Sequence, residues 1–113
     1  MSGRGALAEA AAEEFLSGRG LRLLERNYRC RFGELDLVMR DGDTLVFVEV
    51  RYRRSNSFGG ALASITAAKR EKLLRAARHY MAAQREIPAC RFDAVLLSGD
   101  THELEWIKNA FGE

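Results

Sequence analysis

Residues 34–51 read ELDLVMRDGDTLVFVEVR. Asp41-Gly42 sits between two apolar runs and is a strong signal for a two-residue hairpin turn. The stretch therefore reads as two antiparallel strands, over 34–40 and 43–52. If Asp41 and Gly42 are the central turn residues, Arg40 lies opposite Asp43, Val38 opposite Leu45, Asp36 opposite Phe47 and Glu34 opposite Glu49. Opposed residues share a face of the sheet, and faces alternate along each strand. One face is then expected to carry Glu34, Asp36, Val38, Leu45, Phe47, Glu49 and Arg51. The other carries Leu35, Leu37, Met39, Val46, Val48 and Val50. Large apolar side chains on both faces predict a strand pair covered from both sides, inside the sheet.

Such a pair is an unfavourable place for carboxylates. In this register Asp36 and Glu49 are diagonal neighbours about 7 Å apart at Cβ, and Glu34 faces Glu49 as a like-charge pair. Clustered acids can be relieved by taking up a proton, by pairing with Arg51 or by binding a cation. An alternative is a solvated polar end of the hairpin with an Arg51–Glu49 ion pair. The apolar run LVFVEV argues against it, because it places Glu49 in a strand built for burial, where an unpaired carboxylate is costly.

Outward from the hairpin, residues 4–17 favour helix, with Leu7, Ala11, Phe15 and Leu16 on one side and Gly18 and Gly20 as stop signals. Residues 21–29 read as a strand. Residues 53–63 are polar and Gly-rich and predict a mobile loop. Ser64 to Arg85 predicts a long helix with Ser64 as its cap and an apolar stripe of Ile65, Leu73, Ala76, Ala77, Tyr80 and Met81. Strands follow over 91–97 and 103–107, the second after a turn at Gly99-Asp100. The order predicts an α/β sandwich: a mixed five-stranded sheet with helices on its faces, the long helix being the crossover to the fourth strand.

The chain has 113 residues, 47% hydrophobic and 30% charged, with a net charge of +2. That length fits a single domain over residues 1–113 with one sizeable core, and the balance is that of an ordinary globular chain. So small a net charge does not by itself announce a nucleic-acid binder. Cys30 and Cys90 have no CxxC spacing and no neighbouring His, which speaks against zinc. With no apolar leader and no stretch long enough to cross a membrane, a cytoplasmic protein with reduced thiols is expected.

GELDLVMRDGDTLVFVEVRYRR, followed by FGGALASITAAKREKLLRAARHY and RFDAV, resembles the YraN family of small bacterial proteins, over nearly the whole chain. That family in turn resembles the PD-(D/E)XK nuclease superfamily, which is restriction-endonuclease-like, and in particular its Holliday-junction-resolvase-like branch. The resemblance implies an α-β-β-β-α-β(-β) sandwich. It also implies site roles: Asp36 as the motif aspartate, Glu49 as the acid of the E-x-K element, Arg51 at its lysine position, Glu9 as a helix-borne glutamate completing the site, and Lys69 as the basic residue of the following helix. Arg51 departs from the pattern. Arginine stays protonated and cannot act as a base, although it can hold a phosphate oxygen.

Mg²⁺ or Mn²⁺ prefers oxygen ligands, and Asp36, Glu49 and the main-chain carbonyl of Val50 are candidates to supply three. The expected function is metal-dependent hydrolysis of phosphodiester bonds in DNA, including branched DNA. The alternatives are a non-catalytic nucleic-acid-binding module or a protein-interaction subunit with the same fold. Arg53, Arg54, Lys69, Arg70 and Lys72 are candidate phosphate contacts, although basic residues on an amphipathic helix often serve only to solvate it. A homodimer is implied by the resemblance alone. His79 and His102 lack metal spacing. Asp93 lies at a strand start, and its side of the sheet is left open.

Overall fold

A computed structural model describes residues 3–53, 65–85, 89–99 and 103–111. The chain runs α1 (Gly3–Gly18), β1 (Arg22–Cys30), β2 (Gly33–Asp41), β3 (Thr44–Arg53), α2 (Ala67–Met81), β4 (Cys90–Ser98) and β5 (Leu104–Phe111). The five strands form one sheet in chain order. Only β3 and β4 are parallel to each other, and α2 is the crossover between them. The mixed α/β sandwich expected from the sequence is the observed architecture.

Each helix covers one face. On the α1 side, Ala12 and Leu16 pack with Leu21, Leu37, Met39, Val46, Val48 and Val95. On the α2 side, Leu73, Ala76 and Ala77 pack on Val38, Leu45, Phe47, Phe92 and Ala94. The stripe expected for α2 is the buried one, with Tyr80 and Met81 at its margin. Thr66 caps this helix by accepting from the Lys69 amide at 3.2 Å. The helix ends at Met81, short of Arg85. The expected cap Ser64, residues 54–63 of the expected loop, Asp100 and His102 lie outside the described residues.

Three expectations need correction. In α1 the buried residues are Ala8, Ala12 and Leu16, while Leu7 is 72% exposed and Ala11 is exposed. Apolar residues surround this helix, so their pattern selects no face. The small alanines allow the closest approach to the sheet and turn Glu9 and Glu13 toward β1, where Glu13 pairs with Arg26 at 2.6 Å.

The β2–β3 register is also shifted. Asp41 pairs with Thr44, Val38 with Phe47 and Leu37 with Val48. Gly42 and Asp43 are therefore the central turn residues. Gly42 takes φ +61°, as a type II′ turn requires at its first central position. Moving the register by two residues preserves which face each residue occupies, and it brings Asp36 level with Glu49.

The third correction concerns Leu35. Strict alternation puts Leu35 and Leu37 on one face, yet Leu35 packs on the α2 side and Leu37 on the α1 side. Their partners on β1 switch in the same way: Arg26 reaches α1, while Tyr28 meets His79 and Tyr80 of α2. Between these two pairs lie Asn27 and Asp36, and Asn27 has φ +50°. A left-handed residue at this point rolls the strand pair over, and asparagine adopts that conformation more readily than most residues.

Candidate functional site

The roll at Asn27 and Asp36 opens the sheet. The β2–β3 pairing runs from Asp41–Thr44 to Leu37–Val48. One step further, the Val50 amide donates to Asp36 Oδ2 at 2.9 Å instead of to a main-chain carbonyl. Asp36 thus enters the gap between the strands, and its carboxyl meets that of Glu49 in hydrogen-bonding contact. Glu49 sits on the α2 face of a strand flanked on both sides, beside Leu35, Phe47 and Leu73, and is 3% exposed.

Two cations approach one oxygen of Glu49. Arg51 Nη2 lies 3.0 Å and Lys69 Nζ 3.7 Å from Glu49 Oε2. Arg51 Nε is buried without a hydrogen-bond partner among the described residues. The Arg51–Glu49 ion pair is therefore present, with its Glu49 end buried and its Arg51 end partly exposed. Asp36 has no cation of its own among the described residues. Burial and then the Glu49 carboxylate push its pKa up to about 8, against the lowering effect of the Val50 amide.

Glu34 does not join this pair. It turns to β1 and binds Arg29 Nε at 2.8 Å, so the expected Glu34–Glu49 opposition is absent. Glu9 reaches the site from α1 on the opposite side. Its Oε1 accepts from Asn27 Nδ2 at 2.9 Å, and burial, with smaller contributions from Asp36 and Glu34, raises its pKa. Among the described residues no three His, Cys, Asp or Glu side chains gather into a metal cage. Two carboxylates do meet, and Mg²⁺ is commonly held by only one or two, with water and substrate phosphate completing its shell. The donor set fits such an ion.

The other candidates divide. Lys72 is exposed on α2 beside Gly33. Arg70 turns away, donating to the Ile65 carbonyl at 3.1 Å and lying over the Phe111 ring. Arg53 ends β3, and its side chain lies outside the described residues, as does Arg54. Asp93 belongs elsewhere. It is fully buried and binds Arg91, Trp106 Nε1 and the Asn109 amide. Asn27 is not among the residues expected at the site, and its one signal in the sequence is an asparagine inside a strand.

The chain is 61% identical over 109 residues to a UPF0102 protein of Nitrosospira multiformis, a match covering 96% of this chain and 92% of that relative. It is 60% identical over 111 residues to one of Nitrosomonas europaea, covering 97% and 94%, and 49% identical over 110 residues to one of Psychromonas ingrahamii, covering 97% and 90%. The matching family model spans residues 8–97 and so includes Glu9, Asn27, Asp36, Glu49, Arg51 and Lys69. The YraN resemblance is thereby borne out: the chain belongs to the uncharacterised protein family UPF0102.

Proposed function

We propose that this protein is a divalent-metal-dependent phosphodiesterase acting on DNA. The observation that supports this most is the contact between the Asp36 and Glu49 carboxyls where β2 and β3 part. An acid that must hold a proton to stay beside its neighbour is poised to exchange that proton for a metal. With both acids ionised, their charges cancel those of Arg51 and Lys69. A divalent ion then leaves the site positive, which suits a phosphodiester anion.

Asp36, Glu49 and the Val50 carbonyl would hold Mg²⁺ or Mn²⁺. When bound, the ion would polarise the phosphate and lower the pKa of an attacking water. The remaining roles belong to the chain. Asp36 would release its proton to solvent on holding the ion. Glu49 orients Arg51 and Lys69 through one carboxylate oxygen. The part-exposed Arg51 guanidinium would stabilise charge developing on a non-bridging phosphate oxygen. Arg51 remains protonated, so no residue at the lysine position serves as a base. That feature favours a second reading, a nucleic-acid-binding module without catalysis.

Calorimetric titration of Mn²⁺ tests the site. Wild type is expected to bind one ion and release a proton, seen as a heat that varies with the buffer, and Asp36→Ala is expected to lose both. Equal binding by the two proteins would remove the proposed site. Cleavage of labelled junction DNA with Mn²⁺, abolished in Glu49→Ala, then separates the catalytic reading from the binding module.

A further inference from the structure

The β1–β2 hairpin closes through Arg31 and Phe32, with Cys30 and Gly33 paired beneath them. A two-residue turn favours Gly, Asn or Asp, whose backbone or side chain serves the bend. Neither Arg31 nor Phe32 has a positive φ, and turn chemistry does not call for a cation and an aromatic ring here. The two side chains stack: the Arg31 guanidinium carbon lies 4.8 Å from the Phe32 ring centroid. The ring also meets His79 of α2 edge-on at 6.0 Å, and His79 is held by the Tyr28 hydroxyl. Lys72 lies alongside, its Cβ next to Gly33.

This tip is joined to the acid pair. Phe32 precedes Asp36 by four residues of β2, a span of about 13 Å at the usual strand rise. Along α2, Lys69 stands beside Glu49 and Lys72 follows one turn later, next to the tip. Arg29 and Arg75 are engaged by Glu34 and Glu71. Arg31 and Lys72 are exposed and form no ion pair with a described residue. A positive track leading from two carboxylates to an arginine–aromatic stack is the chemistry that receives a backbone with unpaired bases. Bases in the interior of a duplex already stack on one another on both faces, and only the two end pairs offer a free face to the ring.

We infer that the Arg31–Phe32 tip, with Lys72 and His79, is a stacking platform for an unpaired nucleotide, so that the strand presented to Asp36 and Glu49 comes from a single-stranded segment, flap or branch. This rests on the phosphodiesterase reading for what happens at the acids, but not for the binding itself. The test uses the whole chain in EDTA at low salt and fluorescence anisotropy, with a labelled 15-residue oligothymidine and a blunt duplex of the same length as probes. The single strand is expected to bind more tightly. Phe32→Leu, which keeps apolar bulk and removes the ring face, is expected to weaken single-strand binding about ten-fold while leaving duplex binding and the thermal midpoint unchanged. Phe32→Trp is expected to retain binding.

Phe32→Leu binding the oligothymidine like wild type would overturn the inference. So would a wild-type preference for the duplex, an absence of binding, or equal competition by polyglutamate, which would point to an unspecific charge effect or an acidic polypeptide. Mn²⁺ titration of Phe32→Leu keeps the two readings apart. An intact metal site with unaltered oligonucleotide binding condemns the platform alone. Ring-dependent binding without a metal site condemns the phosphodiesterase alone.

Discussion

Asp36 carries the largest unrelieved electrostatic cost described in the site. Its carboxyl is held between strands by the Val50 amide and pressed against Glu49. Its pKa is raised from 3.8 to about 8, so in metal-free protein the folded state binds a proton that the unfolded chain has released. Between these limits the folded state holds more protons, and stability falls as pH rises. This contribution is fully favourable below about pH 4 and is lost by pH 8. Asp36→Asn imitates the protonated acid, because its oxygen accepts from Val50 and its amide donates to Glu49. In EDTA the substitution is expected to raise the thermal midpoint at pH 8 by several degrees, since about 1 kcal/mol moves a midpoint by roughly 4–8 °C in a domain of this size class. At pH 4 it should change little. A loss of stability at both pH values would show that the two acids are not competing for charge. Added Mn²⁺ should stabilise wild type at pH 8 and leave Asp36→Asn much less affected.

At the level of elements, most of the fold was legible because strands and the long helix announce their periodicity. The α2 stripe at Leu73, Ala76 and Ala77 is the buried one, and the chain order alone specifies a hairpin-linked triplet followed by a crossover. The hairpin register was legible only up to the choice of central turn residues, and Gly42 rather than Asp41 takes the first place. The expectation that Asp36 and Glu49 share a face as diagonal neighbours survives that shift, because moving by two residues leaves faces unchanged. The roll at Asn27 was not legible, since one left-handed residue leaves no mark on an alternating pattern. It also decides that Glu34 leaves the acid pair while Asp36 enters it. Asn27→Ala must adopt an unfavourable hand and loses the bond to Glu9, and is expected to cost about 1–2 kcal/mol in urea unfolding. Asn27→Gly loses the same bond but accepts φ +50° freely, and should be the milder change. Equal losses would assign the cost to the Glu9 contact rather than to the backbone.

Across the whole molecule, the site depends on a scaffold tied together elsewhere. Asp93 on β4 is fully buried on the α1 side and receives Arg91, Trp106 and the amide of Asn109 in β5. Arg91 in turn reaches Asp41 at the end of β2, 2.9 Å away. One carboxylate thus links β4 to β5, while its arginine reaches across β3 to β2. Asn109, with φ +53°, marks the irregularity in β5 that turns its amide toward Asp93. Asp93→Ala takes the acceptor from an indole donor and a main-chain amide together and leaves Arg91 with Asp41 alone. Leaving buried donors unsatisfied is expected to cost about 1–3 kcal/mol of unfolding free energy for each. The acid pair lies on the other face of the sheet, against Lys69, so the fraction of Asp93→Ala that folds should bind Mn²⁺ with wild-type stoichiometry. Asp36→Ala should do the reverse, losing the ion while keeping the fold. Urea unfolding and calorimetry on the two variants separate these outcomes. If Asp93→Ala abolished ion binding in folded protein, the two faces would be coupled and the scaffold could not be treated apart from the site.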